Sequence, residues 1–134
     1  MKFKKIDHIA LAVKSLSEAI KTFKNLGFTI EEPHEIPIMN VKAAFAKIGE
    51  SQLEFLESLS PDSAVSKFLQ KKGEGIHHIC FEVSDIQKTL QDLKQKGFQL
   101  VSEKPTQGAQ GLVAFIHPKS CHGVLIEVVE KNGY

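Results

Sequence analysis

An internal repeat restricts the folds open to this chain more than any other feature of it. Residues 6–30 align with residues 76–100 without a gap. Ile6, His8, Ile9, Val13, Lys24, Gly27 and Phe28 fall on Ile76, His78, Ile79, Val83, Lys94, Gly97 and Phe98. Apolar character also matches at Leu11/Phe81, Leu16/Ile86, Ile20/Leu90, Phe23/Leu93 and Ile30/Leu100. A histidine occupies the same place in both copies. The segments that close the two copies echo each other with a different offset: L-E-F-L-E (Leu53–Glu57) matches I-E-V-V-E (Ile126–Glu130), so Glu54 corresponds to Glu127.

Each copy reads as βαβββ. The dense apolar run I-D-H-I-A-L-A-V ending at Val13 suits a strand buried on both faces. Period two places Asp7, Ile9, Leu11 and Val13 on one side, where they have the bulk to pack under a helix. Ile6, His8, Ala10 and Ala12 take the other side, and the two alanines leave open space beside the imidazole. Ser15 is the expected N-cap of the following helix, with Glu18 as its capping-box partner, and Gly27 ends it. Strands are expected at Phe28–Ile30, Val41–Ile48 and Gln52–Glu57, the last two turned at Gly49–Ser51. A connector helix, Ala64–Lys71, follows Ser60–Ser63. The second copy repeats the plan: a strand at Gly75–Val83, a helix capped by Asp85, a strand at Phe98–Ser102, a glycine-containing loop at Thr106–Gly111, then strands at Leu112–His117 and Val124–Glu130. The expected architecture is one α+β domain in which two βαβββ modules form a cupped eight-stranded mixed sheet around a metal site. Module one spans about 1–58, the connector about 60–72 and module two about 73–134.

At 134 residues the chain is long enough to bury a core. Its 17 basic residues, all lysine, stand against 16 acidic ones, with one Tyr and no Trp. That balance argues against nucleic-acid binding. Two cysteines, Cys80 and Cys121, are too few for a disulfide scaffold. After the opening M-K-F-K-K, Asp7 and His8 interrupt any signal-peptide core, and no apolar run approaches membrane length. A reduced, cytoplasmic, soluble protein is expected.

A single histidine in an apolar strand is more often a satisfied core residue than a ligand. A carboxylate in a strand as apolar as V-L-I-E-V-V must be paired, bound or placed on a wet edge. Two copies that each supply a histidine from the first strand and a glutamate from the last are harder to explain separately. Pseudo-twofold packing would bring His8, Glu54, His78 and Glu127 to one cleft. Two imidazoles and two carboxylates suit a six-coordinate divalent ion such as Mn, Fe, Co or Ni with two open positions, and no His/Cys cluster marks a closed structural zinc site. His77 points away from His78 on the strand. His34, His117 and His122 lack repeat partners and read as structural or surface residues. Cys80 and Glu82 share the face of His78 and could line the cleft; Cys80 has no paired base in the sequence and reads as packing.

With these residues in place, the chain resembles the vicinal oxygen chelate (glyoxalase/bleomycin resistance) superfamily along its whole length, and within it the methylmalonyl-CoA epimerase family most closely. K-I-D-H-I-A-L-A-V (5–13), L-S-P-D-S-A-V-S-K-F-L (59–69), G-E-G-I-H-H-I-C-F-E-V (73–83) and H-P-K-S…G-V-L-I-E (117–127) carry the resemblance. It implies an isomerase with one divalent ion (Co, Mn, Ni, Fe or Zn) on His8, Glu54, His78 and Glu127. The expected reaction is proton abstraction and return at C2 of 2-methylmalonyl-CoA through an enolate whose charge the metal stabilises, with Glu127 as ligand and base. Some epimerases of the family use a second glutamate on the strand corresponding to Val41–Ile48; here that strand carries Lys42, Ala43 and Ala44 and no acid. The implied partner is a small acyl-CoA thioester, and a homodimer is compatible with it. With no arginine, the coenzyme phosphates would need lysines or backbone N–H groups, Lys119 in the H-P-K-S turn being the candidate. The alternatives are glyoxalase I (lactoylglutathione lyase) chemistry at the same four ligands, and a non-catalytic small-molecule or antibiotic-binding protein of the same fold.

Overall fold

A computed structural model describes residues 2–132. Eight strands and three α-helices make the chain α+β, as expected from the repeat. Their order is β1 (Phe3–Ala12), α1 (Leu16–Leu26), β2 (His34–Ile36), β3 (Val41–Ile48), β4 (Ser51–Ser58), α2 (Ala64–Lys72), β5 (Gly75–Val83), α3 (Ile86–Gln95), β6 (Thr106–Gln107), β7 (Gly111–Ile116) and β8 (Ile126–Lys131). No helix among the described residues is long and apolar enough to cross a membrane. Contacts divide the chain into two compact units, one from His8 to His77 and the other combining the chain up to Asp7 with the chain from His78 onward.

In the His8–His77 unit the strand order is β2-β3-β4-β1, with β1 parallel to β4 and the other neighbours antiparallel. Period two gives this sheet two apolar faces. Leu11, Val13, Ala44, Ala46 and Phe55 pack against Leu16, Ala19, Ile20 and Phe23 of α1. On the opposite face Ala10, Ala12, Ile36, Val41, Ala43 and Leu56 pack with Val65, Phe68 and Leu69 of α2. The apolar run in β1 is therefore covered on both sides, and the alanines face the connector helix end.

The second unit repeats the scheme as β5-β8-β7-β6, with β5 parallel to β8. Ile86, Leu90 and Leu93 of α3 pack on Val83, Ala114, Ile116 and Val128. The first residues of β1 join this unit: Phe3 stacks on Phe81 with ring centroids 5.2 Å apart, and Lys4 reaches Glu82 at 3.5 Å. Asp7 is buried and lies 2.7 Å from Lys131, so this buried carboxylate is paired.

The helix starts are as expected. Ser15 Oγ accepts the Glu18 N–H at 3.3 Å, and Asp85 Oδ1 accepts the Lys88 N–H at 3.1 Å. Gly27 (φ 120°) and Gly97 (φ 92°) turn the chain out of α1 and α3 in a backbone region that side chains disfavour. A further restraint recurs in both units. Glu57 Oε1 accepts the Leu16 N–H at 2.6 Å, and Glu130 Oε1 accepts the Ile86 N–H at 2.9 Å. Each closing strand thus binds its own helix through a carboxylate at the positive end of the helix dipole.

Two expected strands lie elsewhere. Phe28–Ile30 is not a strand; Phe28 and Ile30 pack into the α1 core, and β2 forms only after Pro33, at His34–Ile36. Pro33 has no N–H to give a ladder, so pairing with β3 starts beyond it. Phe98–Ser102 likewise contributes only an isolated bridge, Leu100 to Ile116, while Phe98 and Leu100 pack on the α3 core. The edge strand there is β6, inside the segment expected to be a loop, where Thr106 and Gln107 pair with Val113 and Leu112.

Glu57→Ala and Glu130→Ala each remove a charged acceptor from a helix's first N–H. Each is expected to lower stability by about 1–3 kcal/mol, read as a lower urea midpoint with unchanged m. The corresponding glutamine variants should recover part of the loss. A wild-type midpoint in the alanine variants would show that these bonds contribute nothing.

Candidate metal and acid–base site

Strand partners in register share a face, and this decides what surrounds each sequence-identified residue. In the His8–His77 unit, β1 and β4 pair His8 with Gln52, Ala10 with Glu54 and Ala12 with Leu56. His8 and Glu54 are therefore diagonal neighbours on one face. Because Ala10 is the residue beside Glu54, nothing larger than a methyl group separates the two side chains. His8 Nε2 lies 3.3 Å from Glu54 Oε1, with both residues buried. β3 places Phe45 opposite Glu54, and its ring meets His8 edge-on, centroids 6.4 Å apart at 86°.

The second unit has the same arrangement. Cys80 stands opposite Glu127, in the role of Ala10, and His78 precedes it by two residues. His78 Nε2 lies 3.0 Å from Glu127 Oε1, again with both buried. β7 places Phe115 opposite Glu127, and its ring meets His78 edge-on at 5.4 Å and 84°. So each unit holds a histidine, a glutamate and a phenylalanine in one cross-strand pattern. Edge-to-face packing restricts the imidazole's rotation, and the aromatic ring keeps one side of the pair dry.

The donor chemistry of each pair fits a divalent ion. Two ligand atoms bound at about 2.1 Å and at right angles are about 3 Å apart, which matches the spacing within both pairs. Imidazole nitrogen and carboxylate oxygen are donors for Mn, Fe, Co, Ni or Zn, and a pair with no metal can share a proton over the same distance.

Other sequence-identified residues fall outside these pairs. His77 sits edge-on to Phe68 of α2 at 5.0 Å, a packing role. His117 Nδ1 accepts the Lys119 N–H at 3.0 Å and so shapes the turn; the Lys119 side chain is exposed. His122 occupies the left-handed region at the end of that turn (φ 56°) and is exposed. Burial pushes the Cys121 thiol up, away from a nucleophile's range. Cys80 is fully buried on the Glu127 face, and Glu82, on that face too, is the partner of Lys4.

Sequence reasoning missed four residues here. Gln52, buried and directly opposite His8, could have been read from its alternation with Glu54. Phe45 and Phe115 could not, because only the hairpin registers equate them. His34, set aside as unrepeated, is exposed and stacks on Phe45 with centroids 5.6 Å apart at 16°.

Comparison with known proteins follows the same lines. The family model of the Glyoxalase/Bleomycin resistance protein/Dioxygenase superfamily matches residues 7–115, a span that includes His8, Glu54 and His78. The chain is 41% identical to mitochondrial methylmalonyl-CoA epimerase of Homo sapiens over 92% of its own length and 72% of the relative's. Among solved structures, a hypothetical protein from Bacillus halodurans C-125 superposes with a TM-score of 0.93 at 42% identity, covering 97% of this chain and 96% of that one. A variant of Streptomyces coelicolor methylmalonyl-CoA epimerase in complex with 2-nitronate-propionyl-CoA superposes with a TM-score of 0.92 at 35% identity, covering 98% and 97%.

Proposed function

Because the chain belongs to the Glyoxalase/Bleomycin resistance protein/Dioxygenase superfamily and, within it, to the methylmalonyl-CoA epimerase family of isomerases, we propose that it epimerises C2 of 2-methylmalonyl-CoA at one divalent ion held by His8, Glu54, His78 and Glu127. The observation that carries this reading is the duplicated pair: imidazole against carboxylate at 3.3 Å in one unit and 3.0 Å in the other, at positions related by the repeat. A structural histidine has no reason to recur with a buried glutamate diagonal to it in both copies. A duplicated ligand pair does.

The C2 hydrogen of a methylmalonyl thioester lies between a thioester carbonyl and a free carboxylate. Removing it as a proton leaves the C–H electron pair in an enolate, and returning a proton to the other face gives the epimer with no net redox change. When bound, a divalent ion supplies Lewis-acid stabilisation of negative charge at this site. Glu127 accepts the C2 proton. Its carboxylate is fixed by β8 between β5 and β7, and Phe115 beside it keeps water from competing for the base. Phe45 does the same for Glu54. The exposed Lys119 contacts a coenzyme phosphate in the turn that leads toward β8.

The central experiment measures inversion and solvent deuterium incorporation at C2 of methylmalonyl-CoA beside turnover of the methylglyoxal–glutathione adduct. Inversion with deuterium uptake is expected. Turnover of the adduct alone would replace this reading with lactoylglutathione lyase chemistry, and turnover of neither would favour a binding protein. His78→Ala should lower the content of bound divalent metal and abolish turnover, whereas His77→Ala should change neither; elemental analysis of the two variants separates them, and full metal content in His78→Ala would refute the ligand set. Glu127→Gln keeps an oxygen donor but removes the base, so kcat should fall by about 10²–10⁴ with partial metal retention. Lys119→Ala should raise KM with little change in kcat, the mark of lost uniform binding, and the effect should shrink at high salt.

A further inference from the structure

The two units are alike where they hold their His–Glu pairs and differ at their edge strands. In the second unit β6 places Thr106 opposite Val113, two residues before Phe115. At the equivalent place in the His8–His77 unit, β2 puts His34 opposite Ala43, two residues before Phe45. The pairing registers give His34 the same sheet face as Ala43, Phe45, Glu54 and His8. Ala43 is buried and offers only a methyl group, so the imidazole lies across it and stacks on Phe45, the ring that also meets His8. Glu54 and His8 on this face are engaged with each other at 3.3 Å, and the exposed Lys47 lies 3.8 Å from Glu31. His34 is thus an exposed imidazole, stacked at the rim of the face that carries the pair, with no counterpart in the other copy.

Inversion at carbon imposes an asymmetric demand. A proton leaves one face of C2 and another arrives on the opposite face, so one fixed carboxylate cannot serve both. We propose that His34 is the second proton-transfer residue of this chain, acting on the face of C2 that Glu127 does not reach; the proposal rests on the epimerase reading above. In one direction Glu127 takes the C2 proton and the C–H electron pair passes into the enolate. The His34 imidazolium then donates its N–H proton to the opposite face of C2, forming the new C–H bond and leaving a neutral imidazole. In the reverse direction neutral His34 accepts and protonated Glu127 donates. Being exposed, His34 re-equilibrates its proton with water between turnovers. The hydrogen it delivers is therefore solvent-derived.

The test uses His34→Gln, which keeps a planar group over Phe45 but cannot carry a proton, with each epimer of methylmalonyl-CoA in D₂O. Epimerisation is expected to fall by about 10²–10⁴. Exchange of the C2 hydrogen should persist for one epimer, the one whose hydrogen faces Glu127, and be lost for the other. Bound metal, measured by elemental analysis, should stay at the wild-type level. In His34→Ala, added free imidazole should restore part of the epimerisation. Wild-type epimerisation in His34→Gln would overturn the proposal, and so would equal loss of exchange from both epimers or loss of metal, which would mark a structural role. If the unaltered enzyme exchanges neither epimer, the epimerase reading itself fails, an outcome distinct from an active enzyme indifferent to His34.

Discussion

The structure depends on a pair of carboxylates three residues apart in the last strand of each unit. An odd spacing in a strand sends two side chains to opposite faces. Glu54 and Glu127 turn toward the histidines, and Glu57 and Glu130 turn toward the helices, where they accept the first N–H of α1 and α3. One strand therefore fixes both layers of its unit. A buried carboxylate is tolerated only where it is paired, so a sequence that retains two of them on such an apolar strand commits that strand to one register. A slip of one residue would exchange the faces, leaving each helix start without its acceptor and each imidazole without its partner.

This coupling explains which features could be read in advance. The first strand and helix of each copy are continuous in sequence, and their periodicity, caps and glycine stops are local signals; Ser15, Asp85, Gly27 and Gly97 act as their residue types suggest. The edge strands are not local in that sense. A strand of two or three residues carries no alternation to detect, and β2 and β6 exist only because β3 and β7 offer an open edge beyond Pro33 and Pro105. The apolar residues at Phe28–Ile30 and Phe98–Leu100 looked like strand but were recruited by the helix cores. The second glutamate of each L-E-F-L-E-type segment was visible in the repeat, yet its role is set by a helix more than forty residues away in sequence.

The histidines and glutamates were legible because they repeat. That same criterion works against any residue present once. Phe45 and Phe115 escaped notice for another reason: they stand at different offsets from their glutamates, and only the hairpin registers show that each lies opposite one. Once those registers are known, the copies can be compared position by position, and the comparison becomes more informative where it fails than where it succeeds.

Duplication supplies matched parts, which suits a metal, whose ligands surround one point and whose demands are close to symmetric. Substrate chemistry is not symmetric. A stereocentre presents different groups to its two sides, and inversion needs a proton donor on one side when it needs an acceptor on the other. A frame built from two copies must break its own equivalence to meet that demand, and the least costly place is an edge strand, where a substitution disturbs neither the helix anchors nor the buried pairs. In this chain the difference falls there, with His34 over Ala43 in one copy and Thr106 beside Val113 in the other. The central strands preserve the shared binding geometry while the edges are free to diverge.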